Sequence, residues 1–333
     1  MPGSVTSVFS EPDDFQAALR EDGVLSLLIT GRGQFRARLT QVTLHRWRLW
    51  TSEEHLSRIA LVAVPANVIL VLLPISSRVA SIWGGIGMRA GDIMMLGSGL
   101  QVHTRTDGPC RWASLRLPAQ EIARYGRVLI GAGFAVPAAA QLWQPPRMAI
   151  RQLRHLHATA IGAAEVRPGV LISLEAAHGL ERQLIHALLE CLSGSPAAAG
   201  TRAIRSHQDI LVRFEALLQA KPHQNLRIAE ICEALGVSDR TLRLCCEEQL
   251  GLSPTKYLRL RRMQLVRHAL WREEPDTAKV SEVVQRYGYG FRELGRFAAN
   301  YRAVFGELPS ATLRYGLRPG VANLVLRRPR RPV

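Results

Sequence analysis

The sequence predicts a chain of two structural classes: a β-rich amino-terminal half with flanking helices, and an all-α carboxy-terminal domain of two helix-turn-helix units joined by a long helix. Three observations lead there. Before residue 118 the apolar residues fall in short runs broken by turn formers, whereas after it they follow a helical period. A small, uncharged stretch, Ser193-Gly194-Ser195-Pro196-Ala197-Ala198-Ala199-Gly200, reads as a linker. Beyond it, one arrangement of apolar face, glycine turn and second helix occurs twice, about fifty residues apart. A length of 333 residues suits two domains of ordinary size.

In the first half, strands are expected at Val24–Ile29, Phe35–Leu39, Ile59–Val64, Val68–Leu73, Ile93–Leu96 and Arg111–Leu117, which together suggest a sandwich or small barrel. The longest apolar stretch, Ile59 to Ile75, is broken by Pro65, Asn67 and Pro74. It reads as two strands around a Pro65-Ala66-Asn67 turn and not as a membrane helix. The run from Met88 to Leu96, with its Gly91-Asp92 turn, resembles the strand turns of cupin-type barrels. Trp47, Trp50, Trp83 and Trp112 are candidates for the barrel interior. Leu180, Leu184 and Leu188, with Ile185, Leu189 and Leu192 beside them, form a helical stripe that either packs on its own barrel or pairs two subunits. The expected divisions are 1–192 for a regulatory or dimerisation domain with pairing helices, 193–205 for the linker, 206–316 for the helical domain, and 317–333 for an arginine-rich tail.

Charge narrows the partner. Forty-three Lys+Arg against 27 Asp+Glu leave +16, and all but Lys221, Lys256 and Lys279 of the cations are arginine. The segment from Thr201 onward carries +11 of this excess and residues 1–200 only +5. Nucleic acid leads the anionic partners, with a membrane surface second. Met1-Pro2-Gly3-Ser4-Val5 has neither a basic nor an apolar leader region, so no signal peptide is expected. Five cysteines, an odd number in a cored chain, suit reduced thiols in a cytoplasm.

The first helix-turn-helix unit is expected at about 229–250. Ile228, Ile231 and Leu235 make one apolar face, Gly236 allows the positive φ of a tight turn, and Val237 plugs the pair. Ser238 is placed to cap a second helix, Asp239 to Gln249, whose core face is Leu242, Cys246 and Leu250. Arg240, Thr241, Arg243 and Leu244 then occupy the outward or flanking positions of its amino-terminal half, the part that reaches base edges. Either arginine suits guanine O6/N7 or a phosphate, and an outward leucine suits a thymine methyl.

The second unit is expected at about 281–304. Val280, Val283 and Val284 lead through Tyr287-Gly288-Tyr289-Gly290-Phe291 into a helix with Leu294, Phe297, Ala298, Tyr301 and Phe305 inward, ending at Gly306 with Pro309 beyond. Arg292, Gly295, Arg296, Ala299 and Arg302 face outward. Between the units, Thr255 to Leu270 reads as a connecting helix, with Tyr257, Leu258, Leu265 and Ala269 along it and Arg259, Arg261, Arg262 and Arg267 beside them.

With Gly236-Val237-Ser238, Gly251-x-Ser253-Pro254-x-x-Tyr257-Leu258, Arg261 and Gly306-x-x-Pro309 in this order, residues 206–314 resemble the AraC/XylS transcriptional regulators. The resemblance implies a sequence-specific DNA-binding regulator, an activator, that places two helices in successive major grooves of double-stranded DNA. It also implies a cupin-like amino-terminal domain that binds a small-molecule effector or forms a homodimer, and RNA polymerase as a partner. The sequence departs from the family at Cys246, where an aromatic is usual, at Leu244 and Ala299, where arginine is frequent, and in its doubled Tyr-Gly.

Two other readings compete. A cupin-type metalloenzyme needs clustered ligands, but His45, His55 and His103 are widely spaced, and His155 and His157 lie on a predicted helix. No metal, cofactor or catalytic residue is therefore expected. A redox-sensing regulator would act through Cys245 and Cys246, with a thiolate favoured by Arg243, although Cys246 lies on the core stripe. The tail run Arg327-Arg328-Pro329-Arg330-Arg331-Pro332 reads as a solvated segment that adds phosphate attraction, with no membrane partner.

Overall fold

The computed structural model describes residues 2–75, 81–166, 173–194, 196–199, 201–222, 224–287 and 293–315. The β-rich half comprises β1 (Gly3–Phe9), α1 (Pro12–Leu19), β2 (Val24–Ile29), β3 (Ala37–Thr43), β4 (Arg48–Glu54), β5 (Arg58–Ala63), β6 (Val68–Pro74), β7 (Ser81–Trp83), β8 (Ile86–Met88), β9 (Ile93–Leu96), β10 (Gln101–Thr106) and β11 (Cys110–Pro118). There follow α2 (Ala119–Leu129), β12 (Gln141–Trp143), α3 (Arg147–Val166), α4 (Leu174–Cys191) and β13 (Ala198–Ala199). The helical half is α5 (Arg202–Ala220), α6 (Ile228–Leu235), α7 (Asp239–Leu250), α8 (Pro254–Arg272), α9 (Val280–Arg286), α10 (Leu294–Phe305) and α11 (Pro309–Tyr315).

All the strand pairings are antiparallel and form two sheets, one in the order β1-β3-β4-β11-β6-β9-β12-β13 and one in the order β2-β5-β10-β7-β8. The period-2 alternation of a strand sorts its side chains between layers. On β6, Leu70 and Leu72 enter the core between the sheets, while Ile69, Val71 and Leu73 face a second core under α2, α3 and α4. The far face of the smaller sheet is covered too: Leu28 and Ile59 belong to the core of the helical domain. The layers therefore run helices, large sheet, small sheet, helix-turn-helix domain.

Three expectations change, and one open alternative is decided. The strand expected at Phe35–Leu39 begins two residues later and runs to Thr43. Trp47 is not in the barrel interior: it lies fully buried in the core beneath the helices, while Trp50, Trp83 and Trp112 lie between the sheets. The leucine stripe of α4 is buried against its own barrel, Leu184 and Leu188 completely. Glu181 ties that helix down by accepting hydrogen bonds from the backbone N–H of Arg46 (2.6 Å) and Trp47 (3.0 Å). The expected linker is also not a free tether. Ala198 and Ala199 pair with β12, the Ala197 N–H donates to the Leu142 carbonyl at 2.8 Å, and α5 starts at Arg202 behind a Thr201 cap. Small uncharged residues leave backbone groups as free to join a sheet edge as to remain in water, so composition did not distinguish the two.

Candidate nucleic-acid interface

The first unit is built by local chemistry. At the end of α6, Gly236 adopts φ +66°, a left-handed conformation that favours glycine, and its N–H closes the helix on Glu233. The Ser238 hydroxyl then caps α7 by accepting from the Thr241 N–H at 3.1 Å. Leu242, Cys246 and Leu250 are buried inward as expected, joined by Cys245, which the stripe did not include. Arg240, Arg243 and Leu244 stand on the exposed side, Leu244 with 45% of its surface open. Arg243 Nη2 rests on Asp239 Oδ2 at 3.2 Å in an exposed pair one helical turn apart, a contact worth only tenths of a kcal/mol. Thr241 is half-buried and its hydroxyl lies 2.8 Å from Ser238 Oγ, so it locks the turn more directly than it offers a donor outward.

In the second unit, Phe297 and Tyr301 of α10 are buried, with Leu294, Ala298 and Phe305 partly so. The Tyr301 hydroxyl meets Thr312 of α11 at 2.8 Å, and Gly306 closes α10 at φ +77°. Gly295, Arg296, Ala299 and Arg302 lie on its exposed face. Gly288, Tyr289, Gly290, Phe291 and Arg292, and with them all of the doubled Tyr-Gly but Tyr287, lie outside the described residues.

The long helix α8 joins the units, and Arg267, expected only to lie beside its apolar residues, is 5% exposed and paired with Glu11 at 2.6 Å and with Glu307 at 3.6 Å. A second charged group, Glu215 of α5, is likewise buried. It accepts from the Tyr257 hydroxyl and from Arg261 of α8, and His103 Nε2 of β10 lies 3.6 Å away. Burial pushes the Glu215 carboxyl up, but His103, Arg261 and Tyr257 together outweigh it and hold it below the usual carboxylate range.

These groups lie along the seam between the halves. Gln264 Nε2 donates to the Leu27 carbonyl at 2.6 Å, and His268 pairs with Asp13. The Gly84-Gly85 turn supplies a flat seat, since a Cβ at Gly84 would come within 2.3 Å of Gln208 Nε2. Docking engages the carboxy-terminal end of α7 through Gln249 and Gly251, the latter lying over the Arg105 guanidinium, and leaves the amino-terminal reading end exposed. The sequence reading did not identify Glu215, His103 or Arg105. The one local signal was Tyr257 and Arg261, four apart on one helical face and aimed at a shared acceptor.

The cysteine environment opposes the redox reading. Burial pushes the Cys245 thiol up to about 11 and Cys246 higher still, and the nearby carboxylates add to the effect; Cys232 is also raised. Among the described residues, no three His, Cys, Asp or Glu side chains gather into a metal-binding group. His157 of α3 is buried, donates Nε2–H to the Ser114 carbonyl at 3.2 Å, and is pushed down by burial to about 4.

Residues 231–315 match the family model described as a helix-turn-helix domain. The chain is 39% identical over 97 residues to a probable thc operon regulatory protein of Rhodococcus erythropolis, covering 29% of each chain. It is 32% identical over 126 residues to XylDLEGF operon transcriptional activator 2 of Pseudomonas putida, covering 38% of this chain and 77% of that protein. The match spans less than a third of the length of the first curated relatives. Among solved structures, the AraC-like transcriptional activator CuxR aligns over 80% of this chain and 94% of its own, at 15% identity and a TM-score of 0.44.

Proposed function

The chain belongs to the AraC/XylS family of transcriptional regulators, and from that premise we propose that it is a non-catalytic, sequence-specific DNA-binding activator whose amino-terminal half answers a small-molecule effector. The observation that carries this reading is the exposed amino-terminal end of α7: two arginines and an outward leucine on a helix whose other faces are buried. Left in water, such a leucine gains nothing from its exposed apolar surface; against a thymine methyl that surface is buried and matched. Arg240 reads a guanine, Arg243 leaves its weak Asp239 contact for base or phosphate, and Leu244 selects thymine. Arg296 and Arg302 hold the next groove, with Arg292 at the start of that helix. Successive major grooves lie about 34 Å apart on one DNA face, the spacing two linked reading helices have to meet.

On this reading the domains are 1–192 and 206–316, and the tail 317–333 adds phosphate attraction. The buried stripe of α4 leaves homodimer contacts to other faces, and RNA polymerase is the partner through which bound protein activates. No described helix is long and apolar enough to cross a membrane, and the chain is proposed to act in the cytoplasm. The test is selection of bound DNA from a random pool by the full chain. Enrichment of a two-part motif, with preference at one position relaxed by Arg240→Ala, is the expected outcome; failure to enrich any sequence sinks the reading.

A further inference from the structure

Helix α3 carries a charge pattern that the two helix-turn-helix units do not use. It holds three arginines and one carboxylate, Glu165, which stands next to its carboxy-terminal end. Glu165 is engaged by its own barrel: it pairs with Arg38 at 3.3 Å and accepts from the Thr40 hydroxyl at 2.9 Å. Arg154 is tied as well, donating from Nη2 to the Ile75 carbonyl at 3.0 Å. Arg147 and Arg151 are not tied. Both are exposed, with His155 one turn further along the same face, and none of the three has an ion-pair partner among the described residues.

The fold holds this face still. Ile150, Leu153 and Ile161 are buried in the core between the helices and the large sheet, and His157 is bonded to the Ser114 carbonyl at 3.2 Å. Residues four apart on a helix lie about 6 Å from one another, so Arg147, Arg151 and His155 make a row about 12 Å long. Thr159 continues the row with a hydroxyl, and Gln152 lies beside it; both are exposed. Gly162 beyond them adds no bulk, since a Cβ there would meet nothing within 4 Å. From Arg147 to Thr159, about 18 Å, the face offers donors and positive charge. It has no carboxylate there and one exposed large apolar side chain, Met148.

That chemistry selects the partner. A second copy of this face would set arginine against arginine, and a bilayer would need more than one apolar side chain to enter it. A duplex supplies one negative charge per about 1.7 Å of its axis, and arginine matches phosphate as a two-donor fork. Position then says which DNA. Two sheets lie between α3 and the helix-turn-helix domain, so at about 10 Å per layer the stripe stands about 30 Å from that domain. DNA with a persistence length of about 150 bp does not fold back over that distance within one site.

We propose that the outer face of α3 is a second DNA contact, indifferent to sequence, in which Arg147, Arg151 and His155 hold the phosphates of a duplex segment other than the one α7 reads. One chain then joins two segments of DNA through opposite ends of the molecule. This contact rests on the regulatory reading above only in that the chain is already on DNA.

The test loads the full chain on a short bead-bound duplex and measures capture of a second, fluorescent duplex of unrelated sequence. Capture is expected at low salt and should fall as salt rises. Arg147→Glu with Arg151→Glu should lower capture about tenfold or more while the first duplex is held within about twofold, which shows that the variant is folded. Arg147→Ala with Arg151→Ala should reduce the slope of log capture affinity against log salt by about 1.8, as expected for two phosphates. A homodimer or the arginine tail would also join two duplexes, but through residues other than Arg147 and Arg151. No capture by the unaltered chain overturns the proposal, as does capture unchanged in the glutamate pair. Displacement of the second duplex by polyglutamate as readily as by DNA of equal charge overturns it too, and assigns the face to an acidic protein segment. Loading without capture leaves the regulatory reading standing. Loading lost in the glutamate pair at unchanged helical circular dichroism, with no sequence enriched from the random pool, overturns that reading and leaves α3 as the DNA contact.

Discussion

Replacing Glu215 tests what holds the reading head in shape and against the barrel. Its carboxylate is 1% exposed and meets Tyr257, Arg261 and His103. Removing one member of a buried charge pair costs about 3–5 kcal/mol, because the other charge is left without a partner. Arg261 is 18% exposed and can recover some water, which places its share near about 3 kcal/mol. The stranded Tyr257 hydroxyl adds about 1 kcal/mol. Glu215→Ala should therefore cost about 4 kcal/mol in total. Glu215→Gln keeps an acceptor for Tyr257 and loses only the charge, so it should cost about half as much.

In urea, with a slope of about 2 kcal/mol per molar, the Ala variant should move the midpoint of the helical transition down by about 2 M. Far-ultraviolet circular dichroism follows the helices, while five of the six tryptophans lie before residue 150 and follow the β-rich half. The pH dependence has a definite sign. Because the folded carboxyl is held below its unfolded value, its contribution is complete above the unfolded pKa of about 4.3 and is lost as pH falls through the folded one. The Gln variant should lack this acid-side loss. A shift of less than about 0.5 M for Glu215→Ala, or an acid profile unchanged in Glu215→Gln, would refute the assignment of Glu215 as the anchor.

Three further outcomes are expected. Arg240→Ala should cost about 1–3 kcal/mol of binding to the selected sequence with relaxed preference at one base pair, whereas uniform loss on all sequences would mark a phosphate contact; competition binding measures this. Deleting residues 327–333 should weaken all sequences alike and reduce the slope of log affinity against log salt by up to about 0.9 for each of its four arginines that holds a phosphate; a slope equal to that of the full chain excludes the contact. Native protein should react slowly with a thiol reagent at Cys245 and Cys246, since burial pushes both up, and mild oxidation should leave DNA affinity unchanged; a fast thiol at either position would restore the redox reading.

What was legible in the sequence was local. Gly236, Ser238, Leu242, Cys246 and Leu250 fixed the first unit through one turn, one cap and one helical period, and the structure agrees at each of them. Residues 288–292 of the second unit, with Gly290 and Arg292, lie outside the described residues, so its reading helix rests on Arg296 and Arg302. What was illegible was the seam, because it is assembled from single residues on distant elements. His103 is one of five polar residues in β10, Glu215 one of two carboxylates in α5, and Arg267 one arginine among forty.

One signal of the seam was nevertheless present. Leu27-Leu28-Ile29 and Ile59-Ala60-Leu61-Val62 are continuous apolar runs, and a strand reads that way when both of its faces are covered. A barrel standing alone, tethered by a loose linker, would leave one face of that sheet in water and should alternate. Leu28 and Ile59 therefore required a cover before any contact was visible, and the helix-turn-helix domain is that cover. Any signal from the barrel consequently has a packed route to the reading head through β2, β5 and β10 and does not depend on a flexible tether.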